Sequence, residues 1–137
     1  MRYELELILQ LCGEVGLPAR LTDDRVEVEL CPNAVLHFQN AEDERDSLIG
    51  FSDTPWHTHG DLKFSDAHGR YVEIDYLDVI VALRDGRVLI CERQTANRTV
   101  DRWLIHRDYS DELRWLEQGE QLVIRRAIAP PLEEAAR

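Results

Sequence analysis

Between Arg25 and Gln39 the chain alternates apolar and polar side chains twice, on either side of one short break. Val26, Val28 and Leu30 alternate with Arg25, Glu27 and Glu29. Ala34, Leu36 and Phe38 alternate with Val35, His37 and Gln39. Successive side chains on a strand point to opposite faces, so each run has one dry face and one wet face. Cys31-Pro32-Asn33 breaks the pattern, and Asp23-Asp24 offers a turn ahead of it. The stretch predicts an antiparallel meander laid on a core, with His37 on the solvent side.

The flanking segments are less decided. Leu5, Ile8, Leu9, Cys12 and Val15 recur at helical spacing, whereas Tyr3, Leu5, Leu7, Leu9 and Leu11 alternate at strand spacing. Gly16 followed by Pro18 is a common helix exit and favours the helix. Residues 71–92 are apolar around Asp85-Gly86. That dipeptide between β-branched runs signals a hairpin, yet Gly86 could equally end a buried helix from about Tyr71 to Leu83. Val79, Ile80 and Val81 tilt the choice to strand. Val88 to Cys91 is a strand in either case.

Asn40 to Asp46 is a solvated acidic segment, a short helix if Asn40 caps it. Residues 52–69 are loop-like. Thr95 to Thr99 reads as a turn and Val100 to Arg107 as a strand. Ser110 can cap a helix from Asp111 to Gln118, ended by Gly119. Leu122 to Ile128 is the last strand, stopped by Pro130-Pro131. Trp103 and Trp115 stand in apolar contexts and read as core. The total is an α+β fold: a mainly antiparallel sheet of about six strands with two or three helices packed on one face. One domain is expected over residues 1–129, with 130–137 as a flexible C-terminal tail.

The chain has 137 residues, with 27 Asp and Glu against 16 Lys and Arg, a net charge of −11. The excess is uneven: residues 1–78 carry 17 acidic and 6 basic side chains, while residues 79–137 carry 10 of each. Such a surface repels phosphate, so neither nucleic acid nor an anionic membrane is an expected partner. A basic protein would instead be steered in. No apolar run approaches the roughly 20 residues of a membrane span, and Glu4 and Glu6 interrupt any signal-peptide core. Cys12, Cys31 and Cys91 have neither disulfide nor zinc-knuckle spacing and read as buried thiols of a cytoplasmic protein. Lys63 is the single lysine among the basic residues, a bias that fits a GC-rich bacterial source.

The most unusual stretch is Asp53-Thr54-Pro55-Trp56-His57-Thr58-His59-Gly60-Asp61, followed by Ser65, Asp66 and His68. Imidazoles two apart on a strand share a face, about 7 Å apart at their origins, a workable pair of ligands for zinc or another divalent ion. His57-Thr58-His59 with Ser65-Asp66 resembles the JAMM metalloprotease motif, in which an upstream Glu is the general base. Gly60 stands where that motif has Pro, and Asp66 adjoins Ser65 instead of lying three beyond it. The same residues resemble the first metal motif of PHP phosphoesterases, whose barrel is longer than this chain. They also resemble the His-x-His-x-Asp-His motif of metallo-β-lactamases, with Leu62 in place of the last His. Walker, dinucleotide-binding and G-x-S-x-G signatures are absent.

Two functions from different classes follow. One is a non-enzymatic binding protein of the immunity or inhibitor type. It would neutralise a basic protein partner through Glu42, Asp43, Glu44, Asp46, Asp53 and Trp56, and needs no cofactor. The other is a metal-dependent hydrolase with His57 and His59 as ligands, Asp61 or Asp66 as a third, and Glu42 or Glu44 positioning water. Under both stands the possibility of an orphan domain in a larger assembly. The sequence favours the binding protein, because no catalytic template is complete.

Overall fold

The alternating stretch folds as a hairpin of β2 (Arg25–Cys31) and β3 (Ala34–Asn40), joined through Pro32 and Asn33. Asn33 takes a positive φ of 66°, a backbone region that asparagine tolerates better than most residues. Val26, Val28, Leu30, Ala34, Leu36 and Phe38 are fully excluded from solvent, as the period of two requires. The computed structural model describes residues 2–41, 46–96, 98–110 and 116–127.

Around this hairpin stand β1 (Ala19–Leu21), β4 (Ser47–Phe51) and β5 (His57–His59), giving a five-stranded antiparallel sheet in the order β1-β2-β3-β4-β5. A second hairpin pairs β6 (Leu62–Ser65) with β7 (Tyr71–Ile74). A third sheet has the order β10-β8-β9, from β8 (Val88–Thr95), β9 (Arg98–His106) and β10 (Glu120–Arg125). Helix α1 (Leu5–Val15) packs on β1, β2 and α2 (Val79–Asp85), and α2 packs on β8. One large core joins Ile8 and Cys12 of α1, Ile80 and Leu83 of α2, the dry face of the hairpin, and Val88, Ile90 and Leu104. The class is α+β with mostly antiparallel sheet, but the described residues form ten strands in three sheets and two helices.

The helical period of residues 5–15 prevails over the strand period. Gly16 ends α1 in the left-handed region, its amide bonded to Gly13 O, and Leu17 is buried just beyond. The strand expected at Val79 to Val81 is instead α2. β-Branching costs a helix only a few tenths of a kcal/mol per residue, whereas Val79, Ile80, Ala82 and Leu83 are all buried there. Burying each such aliphatic side chain contributes about 1.5–3 kcal/mol. Asp85-Gly86 is therefore no hairpin turn: Gly86, at φ 83°, is the helix C-cap.

The stretch 52–69, expected as loop, contains β5 and β6. Both are short, and His57 and His59 are exposed on a sheet-edge strand, so no apolar alternation marks β5. The strand expected at Leu122 to Ile128 runs from Glu120 to Arg125. Asn40 is buried at the end of β3, where its side chain bonds Tyr3, and the short helix it was expected to cap lies largely outside the described residues. The expected helix at 111–118 falls largely outside the described residues, as do Trp115 and the tail 130–137.

Candidate functional site

Of the residues singled out from the sequence, His57 and His59 lie on β5 and Trp56 immediately precedes it. Its register with β4 sets Gly50 opposite His57 and Leu48 opposite His59. Gly50 in turn faces His37 across β3. A β-carbon at Gly50 would meet His57 Cβ and Trp56 O at 3.1 Å each, so glycine lets β5 and its preceding loop close on the sheet. The result is a shallow hollow of ≈ 210 Å³ walled by His37, Leu48, Trp56 and His57. On the other side of Trp56 a cleft of ≈ 440 Å³ runs between β5 and β6, with Lys63, Trp103 and Tyr109 in its walls.

Trp56 is half-buried. It packs on Phe51 with ring centroids 6.1 Å apart, and it touches both the main core and the smaller cluster of Cys91, Trp103 and Ile105. Trp103 is core, as expected. His57 and His59 are exposed on one face of β5, their rings edge to face with centroids 5.2 Å apart. His57 Nδ1 lies 3.1 Å from Pro55 O, and His59 Nδ1 lies 2.8 Å from Asp46 Oδ1. That hydrogen bond holds the Asp46 carboxyl below its usual range.

The candidate third ligands go elsewhere. Asp61 Oδ1 accepts the Tyr76 amide at 2.8 Å. Asp66 accepts the amides of His68 and Arg70 and the Arg70 Nε, closing the β6–β7 turn. Burial raises the Asp66 pKa, but these donors outweigh it and the net shift is downward. Among the described residues no group of three or more His, Cys, Asp or Glu side chains is arranged to hold a metal. The hydrolase set of His57, His59 and Asp61 or Asp66 is therefore not assembled, and Glu42 and Glu44 lie outside the described residues.

The structure describes three of the six candidate partner contacts, Asp46, Asp53 and Trp56. Glu42, Asp43 and Glu44 are outside the described residues. Asp46 is exposed beside His59. Asp53 is held by Arg102 Nη1 at 2.5 Å, so its charge is already matched. Two tyrosines tie other acid-bearing stretches to the one that carries Asp46. Tyr3 exchanges two backbone bonds with the Asn40 side chain and donates its hydroxyl to Gly60 O. The Tyr76 hydroxyl accepts the Glu4 amide, while its own amide reaches Asp61. Ala41 N bonds Asp46 O. Residues 3–4, 40–41, 46, 59–61 and 75–78 are thus tied together in one region of the molecule. Glu4, Asp46, Asp75 and Asp78 are exposed there and Asp61 is half-exposed. Burial pushes the Tyr3 hydroxyl up to about 12, so it stays a neutral donor among these acids.

Sequence reasoning missed one set. Glu92 is fully buried, bonded by Arg102 Nε at 2.7 Å and by Arg125 Nη1 at 3.2 Å. The signal was present: the period that puts Val88 and Ile90 inside puts Glu92 inside too.

Among the described residues no helix is long and apolar enough to cross a membrane. The chain matches no family model, and no curated protein or solved structure is similar enough to count as a match.

Proposed function

We propose that the chain is a non-enzymatic binding protein of the immunity or inhibitor type. It takes a basic protein partner at the region of the fold where Glu4, Asp46, Asp61, Asp75 and Asp78 are brought together. The observation that carries this proposal is the pair of tyrosines, Tyr3 and Tyr76, whose hydrogen bonds tie together separate stretches of chain that each bear acidic residues. Glu42, Asp43 and Glu44 join the proposal by sequence position alone. A net charge of −11 adds long-range attraction for a cationic surface. Trp56, half-buried beside β5, is the aromatic of the type that anchors interfaces.

Titrating the isotope-labelled protein with poly-lysine and following backbone amide shifts tests the location. The expected result is perturbation centred on residues 4, 46, 61 and 75–78, disappearing at high salt as surface charges are screened. Perturbation centred on α1 beyond Glu6, or on the Asp23-Asp24 turn, would refute the placement.

A further inference from the structure

His57 and His59 are unusual among the exposed polar residues because each ring has one nitrogen already committed to an oxygen that can only accept. The Pro55 carbonyl has no proton to give, and a carboxylate oxygen of Asp46 faces the other ring as an acceptor. Each Nδ1 must therefore carry the hydrogen, and in the neutral ring the lone pair is left on Nε2. A carboxylate or carbonyl on the far nitrogen is the usual outer support of a metal-bound histidine; it fixes the tautomer and raises the basicity of the ligand.

The spacing agrees. A metal bound end-on to two imidazoles at about 2.0–2.1 Å sits roughly 3.2 Å from each ring centroid. Centroids 5.2 Å apart then subtend close to a tetrahedral angle at a shared ion. The ring planes stand at 82° to each other, an angle that two imidazoles on one ion can keep, because each ring needs only to hold the ion in its own plane. Both histidine side chains are exposed to solvent on this edge strand.

We propose that His57 and His59 form a two-imidazole binding site for a divalent transition-metal ion of the Cu²⁺ or Zn²⁺ class. Both Nε2 atoms coordinate, Asp46 and the Pro55 carbonyl support them from behind, and water fills the remaining positions. This is a binding site without a hydrolytic centre, because the carboxylates that would complete one are engaged by Tyr76 and by the β6–β7 turn.

Calorimetric titration of the full chain with Cu²⁺ alone tests it, since copper binds nitrogen ligands most strongly in its series. The expected result is one ion per chain, lost in His57→Ala and in His59→Ala, and retained in His68→Ala. Asp46→Asn should weaken binding about tenfold through loss of the outer support. Circular dichroism on each variant reports the fold, and both histidines are exposed, so the substitutions leave it intact. No binding by the unaltered chain overturns the proposal, and so does binding that survives in the His57→Ala/His59→Ala double variant.

Discussion

Glu92 and Arg102 face each other across the β8–β9 register, with the Arg102 Nε 2.7 Å from a carboxylate that no solvent reaches. Arg102 continues to Asp53 at 2.5 Å, and Arg125 continues from Glu92 to the Pro32 carbonyl at 2.8 Å. Asp53 follows β4, and Pro32 sits in the β2–β3 turn. The network of two acids and two arginines thereby links the three-stranded sheet to the five-stranded one. Burying a single charge costs several kcal/mol, and matched hydrogen-bonded partners are what make this arrangement tolerable.

Glu92→Ala should therefore destabilise the fold by about 3–5 kcal/mol, because Arg102 is left in the interior without its main partner. Urea unfolding measures this. Exchanging Glu92 and Arg102 together for apolar residues of similar volume should cost much less. A loss below about 1 kcal/mol for the single variant, the range of an exposed pair, would contradict the buried network.

Gly86→Ala should lower stability by about 1–2 kcal/mol, because φ 83° brings an L-residue's β-carbon against its own carbonyl. The built β-carbon also comes within 2.9 Å of the Arg126 guanidinium, a flexible group that can move aside. Gly86→Asn should be milder, since asparagine enters this region more readily. Thermal melts of the two variants give the ordering.

The same glycine explains why the middle of the chain was hard to read. A residue in the left-handed region is demanded both by a helix C-cap and by a tight hairpin, so Asp85-Gly86 fits either. Val79 to Val81 then suggest a strand, and only the burial of α2 decides for a helix. The β2–β3 hairpin, in contrast, was legible residue by residue, because one wet and one dry face leave a single acceptable register. At the site, the sequence displayed His57 and His59 as a pair. It could not display Asp46 behind His59, a relationship made by β4 pairing with β5. Nor could it display Tyr3 and Tyr76 drawing Glu4 and Asp61 together over long separations.

Stability should fall as pH drops below about 6.5. His106 is buried between Phe64 and Tyr109, and its Nδ1 accepts the Asp108 amide at 3.0 Å. Burial pushes its pKa below the ordinary histidine value, and half-buried His37 shifts in the same direction. The unfolded chain then binds more protons than the folded one in the window beneath 6.5. Stability is complete above that value and is lost as pH falls toward the folded pKa. Melting temperatures between pH 5 and 8 should show the slope, and it should flatten in His106→Gln.

Asn40→Ala should cost about 1–3 kcal/mol, since it leaves the buried Tyr3 amide and carbonyl without their partners. It should also loosen the acidic region. Amide exchange at residues 3–4 and 59–61 should speed up while exchange in β8 and β9 holds, and uniform acceleration across all of these strands would argue against a local tie.

The proposed docking region is tested most directly by affinity capture from cell extract at low and high salt. The bait is compared with a variant carrying Glu4→Gln, Asp46→Asn, Asp61→Asn and Asp75→Asn. The account predicts a basic protein held at low salt, released at high salt and missed by the variant. Retention of the same protein by the variant, or retention indifferent to salt, would contradict it.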